Sequence, residues 1–299
     1  MIKSFQDLET RAQEQPSKRV ALAMAQEADA LSAIMRAANA DIVEPVLVGD
    51  RKEIETLAKK EKLDISSCTI VEAAGEAEAA ARAVKLVREG EADLLMKGKV
   101  ATATLMKAVL DKDRGLRGAG ILSHVTIADL STYPKFLLMS DAALNIAPDL
   151  NAKVAIINNA VEAARRLGVE KAKVGVVCAV EKVNPEAMPA TRDAALLAKM
   201  ADRGQIKNCQ IDGPFALDNA VSLKSCQVKG IRTEVGGDVD ILLMPDIEAA
   251  NVFYKTIAYL TDNPLAGIIM GARVPIILTS RADSDKIKYL SILAGVSLA

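Results

Sequence analysis

The sequence lacks most of the residues from which metal centres are built. Its 299 residues include one histidine, His124, and four cysteines, Cys68, Cys178, Cys209 and Cys226, which form no C-x-x-C pair. A zinc centre needs several His, Cys or carboxylate ligands at short spacings, so we expect no metal site. Cys178 lies inside the apolar run VGVVCAV and is predicted to be a buried residue that behaves as a small hydrophobe.

An excess of charge of one sign is also missing. The chain has 38 Lys and Arg residues against 39 Asp and Glu residues, a net charge of −1. This balance gives no general attraction to nucleic acid or to an anionic membrane. No apolar run approaches the roughly 18 residues of a membrane span, and the N-terminal MIKSFQDLETRAQEQPSKRV has no apolar signal core. We therefore expect a soluble, cytoplasmic protein.

Three common catalytic and nucleotide-binding motifs are absent as well. Neither G-x-G-x-x-G nor G-x-x-x-x-G-K-[ST] occurs between a predicted strand and a helix, which argues against a dinucleotide fingerprint and a P-loop. No G-x-S-x-G elbow occurs, which argues against an α/β-hydrolase.

The chain does contain a regular alternation of strands and helices. The predicted strands are continuous apolar runs, for example KRVALAMA (18–25), DLLM (93–96) and KVGVVCAV (173–180). Such runs are typical of a parallel sheet covered by helices on both faces. The pattern predicts two α/β lobes that divide near residues 128–150, and it leaves open whether the last strand and helix return to the first lobe. Pro45 cannot donate a ladder hydrogen bond, so we predict an edge strand or a bulge there.

The stretch VPIILTSRADSDKIKYL (274–290) combines a strand, a polar elbow and a helix start. We predict a strand over 275–279, an elbow over 280–285, and a helix with Ile287, Leu290 and Leu293 on one face. A helix N-terminus next to the carboxyl end of a strand favours anions. The alternative is that the acidic residues merely cap the helix and that the arginine is a surface charge.

Polar residues also follow other predicted strands: Lys97-Gly98, Ser140-Asp141, Glu181-Lys182, Asp212-Gly213 and Pro245-Asp246. Because parallel strands share a carboxyl edge, this recurrence predicts a common cleft that binds anions. His124 has two interpretations, a hydrogen-bonded structural imidazole or a side chain of the cleft wall. Nothing in the sequence places a serine hydroxyl against the His124 ring, as a catalytic triad would require.

Five segments occur in the order seen in a known enzyme family: DLLMKGKVATATLMKAVL (93–110), MSDAALNIAPDL (139–150), DGPFALDNAVS (212–222), LLMPDIEAANVFYK (242–255) and GARVPIILTSRADSDKI (271–287). Together they resemble the phosphate acetyl/butyryltransferase family over nearly the whole chain. MKGKVATATLMKAVL and SDAALNIAPDL are similar to the phosphate butyryltransferase branch. The acetyl-specific branch usually has a Ser/Gly-rich segment where this chain has EKVNPE (181–186), which favours an acyl group longer than acetyl.

The resemblance implies a fold and a reaction. The fold is two three-layer α/β/α domains with mostly parallel sheets, like isocitrate and isopropylmalate dehydrogenases, with the active site in the interdomain cleft. We expect residues 1–128 plus 274–299 in the first domain and 129–273 in the second. The reaction is the reversible conversion of acyl-CoA and inorganic phosphate into acyl phosphate and CoA. It implies a homodimer and direct attack in a ternary complex, without a metal, a tightly bound cofactor, or a nucleic-acid or membrane partner.

The resemblance also assigns roles to individual residues. Ser280 and Arg281 match the family's Ser-Arg pair, with the serine near the thiol or the developing oxyanion and the arginine on phosphate. The family's base carboxylate falls on Ile287 in an ungapped alignment, so Asp285 and Asp283 are the candidates and we prefer Asp285. The expected substrate- or CoA-binding residues are Lys97, Gly98, Asn251 and Lys255, and Arg192 is a candidate for phosphate.

Three alternatives remain at this level. The nearest is the same reaction with acetyl-CoA. A second is an NAD(P)-dependent decarboxylating dehydrogenase of the same fold, although the paired metal-binding aspartates and the cofactor loop that it needs are not found. The third is a catalytically inactive binding or regulatory protein, against which the retained Ser280-Arg281 pair argues.

Overall fold

The computed structural model describes residues 2–299. The helices are α1 (Phe5–Gln13), α2 (Ala28–Asn39), α3 (Arg51–Glu61), α4 (Glu76–Arg88), α5 (Thr102–Val109), α6 (Leu150–Arg166), α7 (Pro189–Asp202), α8 (Leu217–Val221), α9 (Leu223–Val228), α10 (Ile247–Leu260) and α11 (Asp285–Ser297). The strands are β1 (Lys18–Ala23), β2 (Val43–Gly49), β3 (Thr69–Glu72), β4 (Leu94–Lys97), β5 (Ser123–Ala128), β6 (Leu137–Ser140), β7 (Ala172–Val177), β8 (Cys209–Phe215), β9 (Ile241–Leu243), β10 (Leu265–Met270) and β11 (Ile276–Ile277).

These elements form two compact units. The terminal unit consists of Phe5–Gly120 and Ala266–Ala299, and the central unit consists of Ile121–Leu265 with residues 2–4. The domains expected from the sequence have later boundaries, at 128 and 274. That difference arises at the second junction because the sequence analysis did not predict β10.

In the terminal unit the strand order is β3-β2-β1-β4-β11-β10. All neighbouring pairs are parallel except β10 and β11. The crossover from β1 to β2 and the crossover from β3 to β4 run in opposite directions across the sheet. Because such crossovers are right-handed, α2 and α4 cover opposite faces of the sheet, which gives the three layers of the predicted α/β/α fold.

Helix α11 fills the centre of one of these helical layers. It packs against α1 and α2, and every residue from Lys288 to Ser297 is buried. A Cβ at Gly295 would lie 2.6 Å from Cγ1 of Ile277, so glycine allows the helix to approach β11 closely. The start of α11, and the elbow before it, are therefore fixed by close packing.

In the central unit the strand order is β5-β6-β9-β7-β8. The β5–β6 pair is antiparallel and the others are parallel. Helix α6 packs on the sheet and against α7, while α8 packs on β7 and β8. The predicted α/β class with mostly parallel strands is confirmed in both units.

The prediction for Pro45 was wrong, since β2 lies between β1 and β3 and pairs with both without a bulge. The strand tolerates proline because β3 begins to pair only at Val46, so one side of Pro45 has no ladder to complete. Cys178 is buried, as predicted. Across residues 2–299, no helix has both the length and the apolar character needed to cross a membrane.

Candidate active site

The elbow of residues 278–284 joins β11 to α11 in the terminal unit. The helix begins at Asp285, and the Ser284 hydroxyl caps it by accepting a hydrogen bond from the Ile287 N–H at 3.4 Å. The strand itself is shorter than the predicted 275–279, since only Ile276 and Ile277 have strand pairing. The pairing of β11 with β4 ends at Met96. Beyond β4, the N–H groups of Gly98 and Lys99 donate to the carbonyl oxygens of Ala23 and Met24 at the end of β1.

A buried carboxylate closes the elbow on itself. Asp283 is 1% exposed, and its Oδ2 accepts a hydrogen bond from the Ser280 N–H at 2.7 Å. The Asp283 N–H donates back to the Ser280 carbonyl oxygen at 3.1 Å. These two bonds fix the backbone at Ser280. The residue itself is half-buried.

Arg281 lies at the exposed corner of the elbow. Its Nη2 donates a hydrogen bond to the Lys99 carbonyl oxygen at 2.9 Å, which ties the elbow to the loop after β4. Among the described residues 2–299, the Lys99 carbonyl oxygen is the one hydrogen-bond acceptor of this guanidinium. Its other N–H groups are therefore available to an anion. A guanidinium held in this way presents a planar fork of donors, the geometry that suits phosphate.

Lys97 ends β4 next to the elbow. It is 5% exposed, and its Nζ donates to the Gly98 carbonyl oxygen at 3.2 Å. Burial lowers the pKa of this ammonium group, while the Glu27 carboxylate opposes the shift and the Arg281 cation adds to it. The structure therefore brings Lys97, Ser280, Arg281 and Asp283 together at the carboxyl edge of the terminal sheet.

Gly98 has a clear packing reason to be glycine. A Cβ at this position would lie 2.3 Å from the Met24 carbonyl oxygen and 2.7 Å from that of Ala23. Its N–H donates to Ala23 at 2.9 Å, and the next N–H, of Lys99, donates to Met24 at 2.9 Å. The backbone of the β4 loop thus lies directly on the end of β1, and this close approach carries Lys97 and Lys99 to the elbow.

Asp285, the preferred base, lies in the first turn of α11 with an exposed side chain. It differs in this respect from Asp283, whose carboxylate is buried in the elbow. Both aspartates belong to the terminal unit, as do Ser280, Arg281, Lys97 and Gly98.

Two charged residues of this region were missed by the sequence analysis. Lys288 is 1% exposed, and its Nζ lies 3.0 Å from Oε1 of Glu27 and donates a hydrogen bond to the Asp283 carbonyl oxygen. A lysine next to Ile287 is expected on the solvent face of an amphipathic helix, whereas α11 is buried on all sides from Lys288 onward. Glu27 follows β1 and directly precedes α2, a strand-end position that the same rule for sheet edges could have identified.

The remaining candidates belong to the central unit. In α7, Arg192 is 55% exposed on its side chain, and its Nη2 lies 2.9 Å from Oδ1 of Asp193. The other carboxylate oxygen of Asp193 is 2.8 Å from the buried Nζ of Lys153. Burial acts to raise the pKa of Asp193, but the hydrogen bonds from Lys153 and Arg192 outweigh it and lower the pKa. Arg192 is thus oriented by a carboxylate that a buried lysine also holds.

The two other predicted substrate contacts lie on α10. The Nδ2 of Asn251 donates to the Ala142 carbonyl oxygen at 3.1 Å, which fixes its amide over the loop after β6. The Nζ of Lys255 lies 5.4 Å from the ring centroid of Tyr254 and 5.1 Å from that of Tyr259. These distances correspond to cation–π contacts, so the ammonium group is held near the protein surface between two rings.

His124 and Asp141 are both engaged within the central unit. The Asp141 carboxylate accepts hydrogen bonds from the N–H groups of Ala143 at 2.9 Å and Leu144 at 3.1 Å. The His124 ring is 4% exposed and meets the Tyr254 ring edge-on at a centroid distance of 6.1 Å. The neighbouring Ser140 hydroxyl donates to the His124 carbonyl oxygen at 2.7 Å. This arrangement favours the structural interpretation of the imidazole over a catalytic triad.

Within residues 2–299, no group of three or more His, Cys, Asp or Glu side chains is close enough to hold a metal ion. The four cysteines are unpaired by disulfides. The chemistry available at the elbow is therefore a hydroxyl, a guanidinium, a buried ammonium group and an exposed carboxylate.

Known proteins are similar to this chain in sequence and in fold. The chain matches the family "Phosphate acetyl/butaryl transferase" over residues 4–81 and 77–294. It is 47% identical over 299 residues to the phosphate butyryltransferase of Clostridium beijerinckii, with 100% of this chain and 99% of that protein covered. It is 43% identical over 282 residues to the phosphate acetyltransferase of Thermotoga maritima, with 94% and 95% covered.

A solved structure gives the same result. The crystal structure of a branched-chain phosphotransacylase from Enterococcus faecalis superposes with a TM-score of 0.83 at 29% identity, covering 94% of this chain and 98% of the other. Sequence and fold agree over nearly the full length. The chain belongs to the phosphate acetyl/butyryltransferase family.

Proposed function

We propose that this chain is a phosphate acyltransferase that transfers a short-chain acyl group, with butyryl favoured, between coenzyme A and inorganic phosphate. The observation that carries the proposal is the elbow, where Arg281 is anchored to Lys99 with its other donors available, directly after Ser280. A relative with 47% identity over the whole chain is named a phosphate butyryltransferase, which supports the choice of acyl group.

The reaction requires a thiolate, since a thiol with a pKa near 8.5 is mostly protonated at neutral pH. We assign the base to Asp285, because its carboxylate is exposed at the start of α11 while that of Asp283 is bonded to the Ser280 N–H. The base takes the thiol proton and the sulfur attacks the carbonyl carbon of the acyl phosphate. In the reverse direction a phosphate oxygen attacks the thioester and the base returns the proton to sulfur.

The attack forms a carbon–sulfur bond and places negative charge on the carbonyl oxygen. The Ser280 hydroxyl donates a hydrogen bond to this oxyanion, and the backbone bonds to Asp283 hold the serine in place. The bond from carbon to the phosphate oxygen then breaks, and Arg281 stabilises the departing phosphate with its remaining N–H groups. No covalent bond to the enzyme is formed in this sequence.

Lys97 supplies a second positive charge near the same elbow, and Gly98 permits the backbone approach that places it there. For the central unit we assign phosphate binding to Arg192 and CoA or substrate binding to Asn251 and Lys255. Asn251 and Lys255 match family positions, and contacts within the central unit orient both side chains. For Arg192 the support is its exposed guanidinium, which Asp193 orients.

Acetyl-CoA is the second candidate substrate, because a relative at 43% identity is named a phosphate acetyltransferase. The segment 181–186 after β7 differs from the Ser/Gly-rich segment usual in acetyl enzymes and places Val183, 55% exposed, on its surface. This difference from the acetyl enzymes favours a longer acyl chain.

The direct test is release of free thiol from butyryl-CoA by the purified full chain, with and without inorganic phosphate. Phosphate-dependent release, and formation of butyryl phosphate, are expected. Parallel initial rates with acetyl-, propionyl- and butyryl-CoA rank the substrates. Absence of phosphate-dependent release with every short acyl-CoA, from folded protein, would contradict the proposal. A homodimer, a cytoplasmic location and the lack of a tightly bound cofactor are further predictions of this assignment.

A further inference from the structure

Lys288 and Glu27 form a buried pair of charges directly behind the elbow. The side chain of Lys288 is 1% exposed and that of Glu27 is 12% exposed, and Nζ lies 3.0 Å from Oε1. Asp29 adds a second, more distant carboxylate, with 4.0 Å between Nζ and Oδ2. Removing two charges from water costs several kcal/mol per ion before pairing, so such pairs are weak evidence for stability alone.

The pair contacts the elbow itself. The Lys288 ammonium group donates a hydrogen bond to the Asp283 carbonyl oxygen, and its backbone N–H donates to Ser284 at 3.1 Å. The same Asp283 holds the backbone N–H of Ser280 with its carboxylate at 2.7 Å. A chain of contacts therefore runs from Glu27 through Lys288 and Asp283 to the serine.

Glu27 is held chiefly by charge. Both of its carboxylate oxygens are buried, and its contact with the Lys288 ammonium group, at 3.0 Å between Nζ and Oε1, is an ion pair. It precedes the first turn of α2 without making a side-chain cap. Its charge is balanced by Lys288 and also acts on Lys97, while the positive end of the α2 dipole adds to this balance. The Glu27 carboxylate thus pairs with the buried ammonium group of Lys288 and acts electrostatically on that of Lys97.

We infer that Glu27 and Lys288 are positioning residues that hold the Ser280–Arg281 elbow in its reactive geometry. This inference rests on the proposed function and adds to it two largely buried residues that are assigned no contact with substrate. Its physical basis is that a displacement of about 1 Å at a reacting group costs about 10²-fold in rate. Without Lys288 the Asp283 carbonyl loses its donor, and the backbone that carries the serine loses its support.

The test compares Lys288→Met with a matched control, Lys135→Met. Lys135 also pairs with a buried aspartate, at 2.6 Å between Nζ and Oδ1 of Asp240, and donates to the Asp238 carbonyl oxygen at 3.0 Å. It lies in the central unit, outside the unit that contains the elbow, and no role in binding or catalysis is assigned to it. Both variants lose a lysine that bridges a carboxylate and a carbonyl, so both are expected to lose thermal stability.

The two variants are expected to differ in two measurements. Lys288→Met should lower kcat by about 10- to 100-fold, while Lys288→Arg restores part of the rate and Lys135→Met keeps kcat within about twofold. Hydrogen exchange followed by mass spectrometry on peptides spanning 279–286 should be about tenfold faster in Lys288→Met, because the elbow opens more easily, and unchanged in Lys135→Met. If Lys288→Met does not fold, Glu27→Gln, which keeps the side-chain shape, takes its place in both measurements.

The inference is overturned if exchange over 279–286 is the same in Lys288→Met, or in Glu27→Gln, as in the wild-type chain. It is also overturned if the kcat of an active enzyme falls no further in Lys288→Met than in Lys135→Met. A wild-type chain without acyltransferase activity would instead contradict the proposed function, and the exchange measurement would still decide whether the pair holds the elbow.

Discussion

The carboxylate of Asp283 accepts a hydrogen bond from the backbone N–H of Ser280 at 2.7 Å, and the Asp283 N–H donates back to the Ser280 carbonyl oxygen at 3.1 Å. These two reciprocal hydrogen bonds form a rigid turn from Ser280 to Asp283, and this turn includes Arg281. It also distinguishes the surroundings of the two aspartates that were candidates for the base, of which Asp285 was preferred from the sequence. One is buried in the turn, and the other is exposed at the first turn of α11.

The first prediction follows from that separation. Asp285→Asn should lower kcat by about 10²-fold or more with little loss of stability, because it removes a proton acceptor from an exposed position. Asp283→Asn should lower the thermal midpoint, because an amide is a weaker acceptor for the Ser280 N–H in a buried turn. Steady-state rates and thermal melts on both variants check this. A normal kcat in Asp285→Asn would remove this residue as the base.

The second prediction concerns the Ser-Arg pair. Arg281→Gln should raise the KM for phosphate and lower kcat, because the guanidinium binds phosphate in the ground state and in the transition state. Ser280→Ala should lower kcat, by about 10²-fold for one lost oxyanion donor, with little change in KM. Arg273→Gln, an exposed arginine of the same unit before β11, is the control and should leave both constants unchanged. Unchanged constants in both elbow variants would take the elbow out of the mechanism.

Much of the fold could be predicted because its signals are local. The apolar runs KRVALAMA, DLLM and KVGVVCAV predict the strands β1, β4 and β7. β10, with the sequence LAGIIM, was missed because Pro264 and Gly271 on either side make the segment read as a loop before the elbow. Pro45 was misplaced because strand position depends on where the neighbouring strand starts, which the strand's own sequence does not contain.

Two signals in the sequence predict part of the candidate site: the polar residues at strand ends and the family motif. Ser280 and Arg281 were found in this way. Glu27 and Lys288 were not, because a glutamate before a helix and a lysine within a helix are usually exposed, and their burial arises from packing of α11 on α1 and α2. Buried charges of this kind are visible only once the tertiary contacts are known.

The third prediction tests why Gly98 is glycine. Gly98→Ala should destabilise the chain by about 1–3 kcal/mol, because the added Cβ would lie 2.3 Å from a backbone oxygen that cannot move without shifting β1. Gly120→Ala is the control, since a Cβ there meets nothing within 4 Å. Urea unfolding of both variants gives the two free energies. Equal stability of the two variants would show that the β4 loop adapts to the extra atom.

The fourth prediction concerns the cysteines and the thiol assay on which the proposed function depends. Burial raises the pKa of Cys178 to about 11 and that of Cys209 to about 11, so at pH 8 both thiols are almost entirely protonated and shielded. Cys68 is only half-buried, so it should react first with a disulfide reagent, and the other three should react only as the protein unfolds. Cys68→Ser should therefore remove most of the early reaction in native protein without changing acyltransferase activity, and addition of denaturant should expose three thiols per chain. Rapid labelling of Cys178 in the folded wild-type chain would contradict its burial at the end of β7.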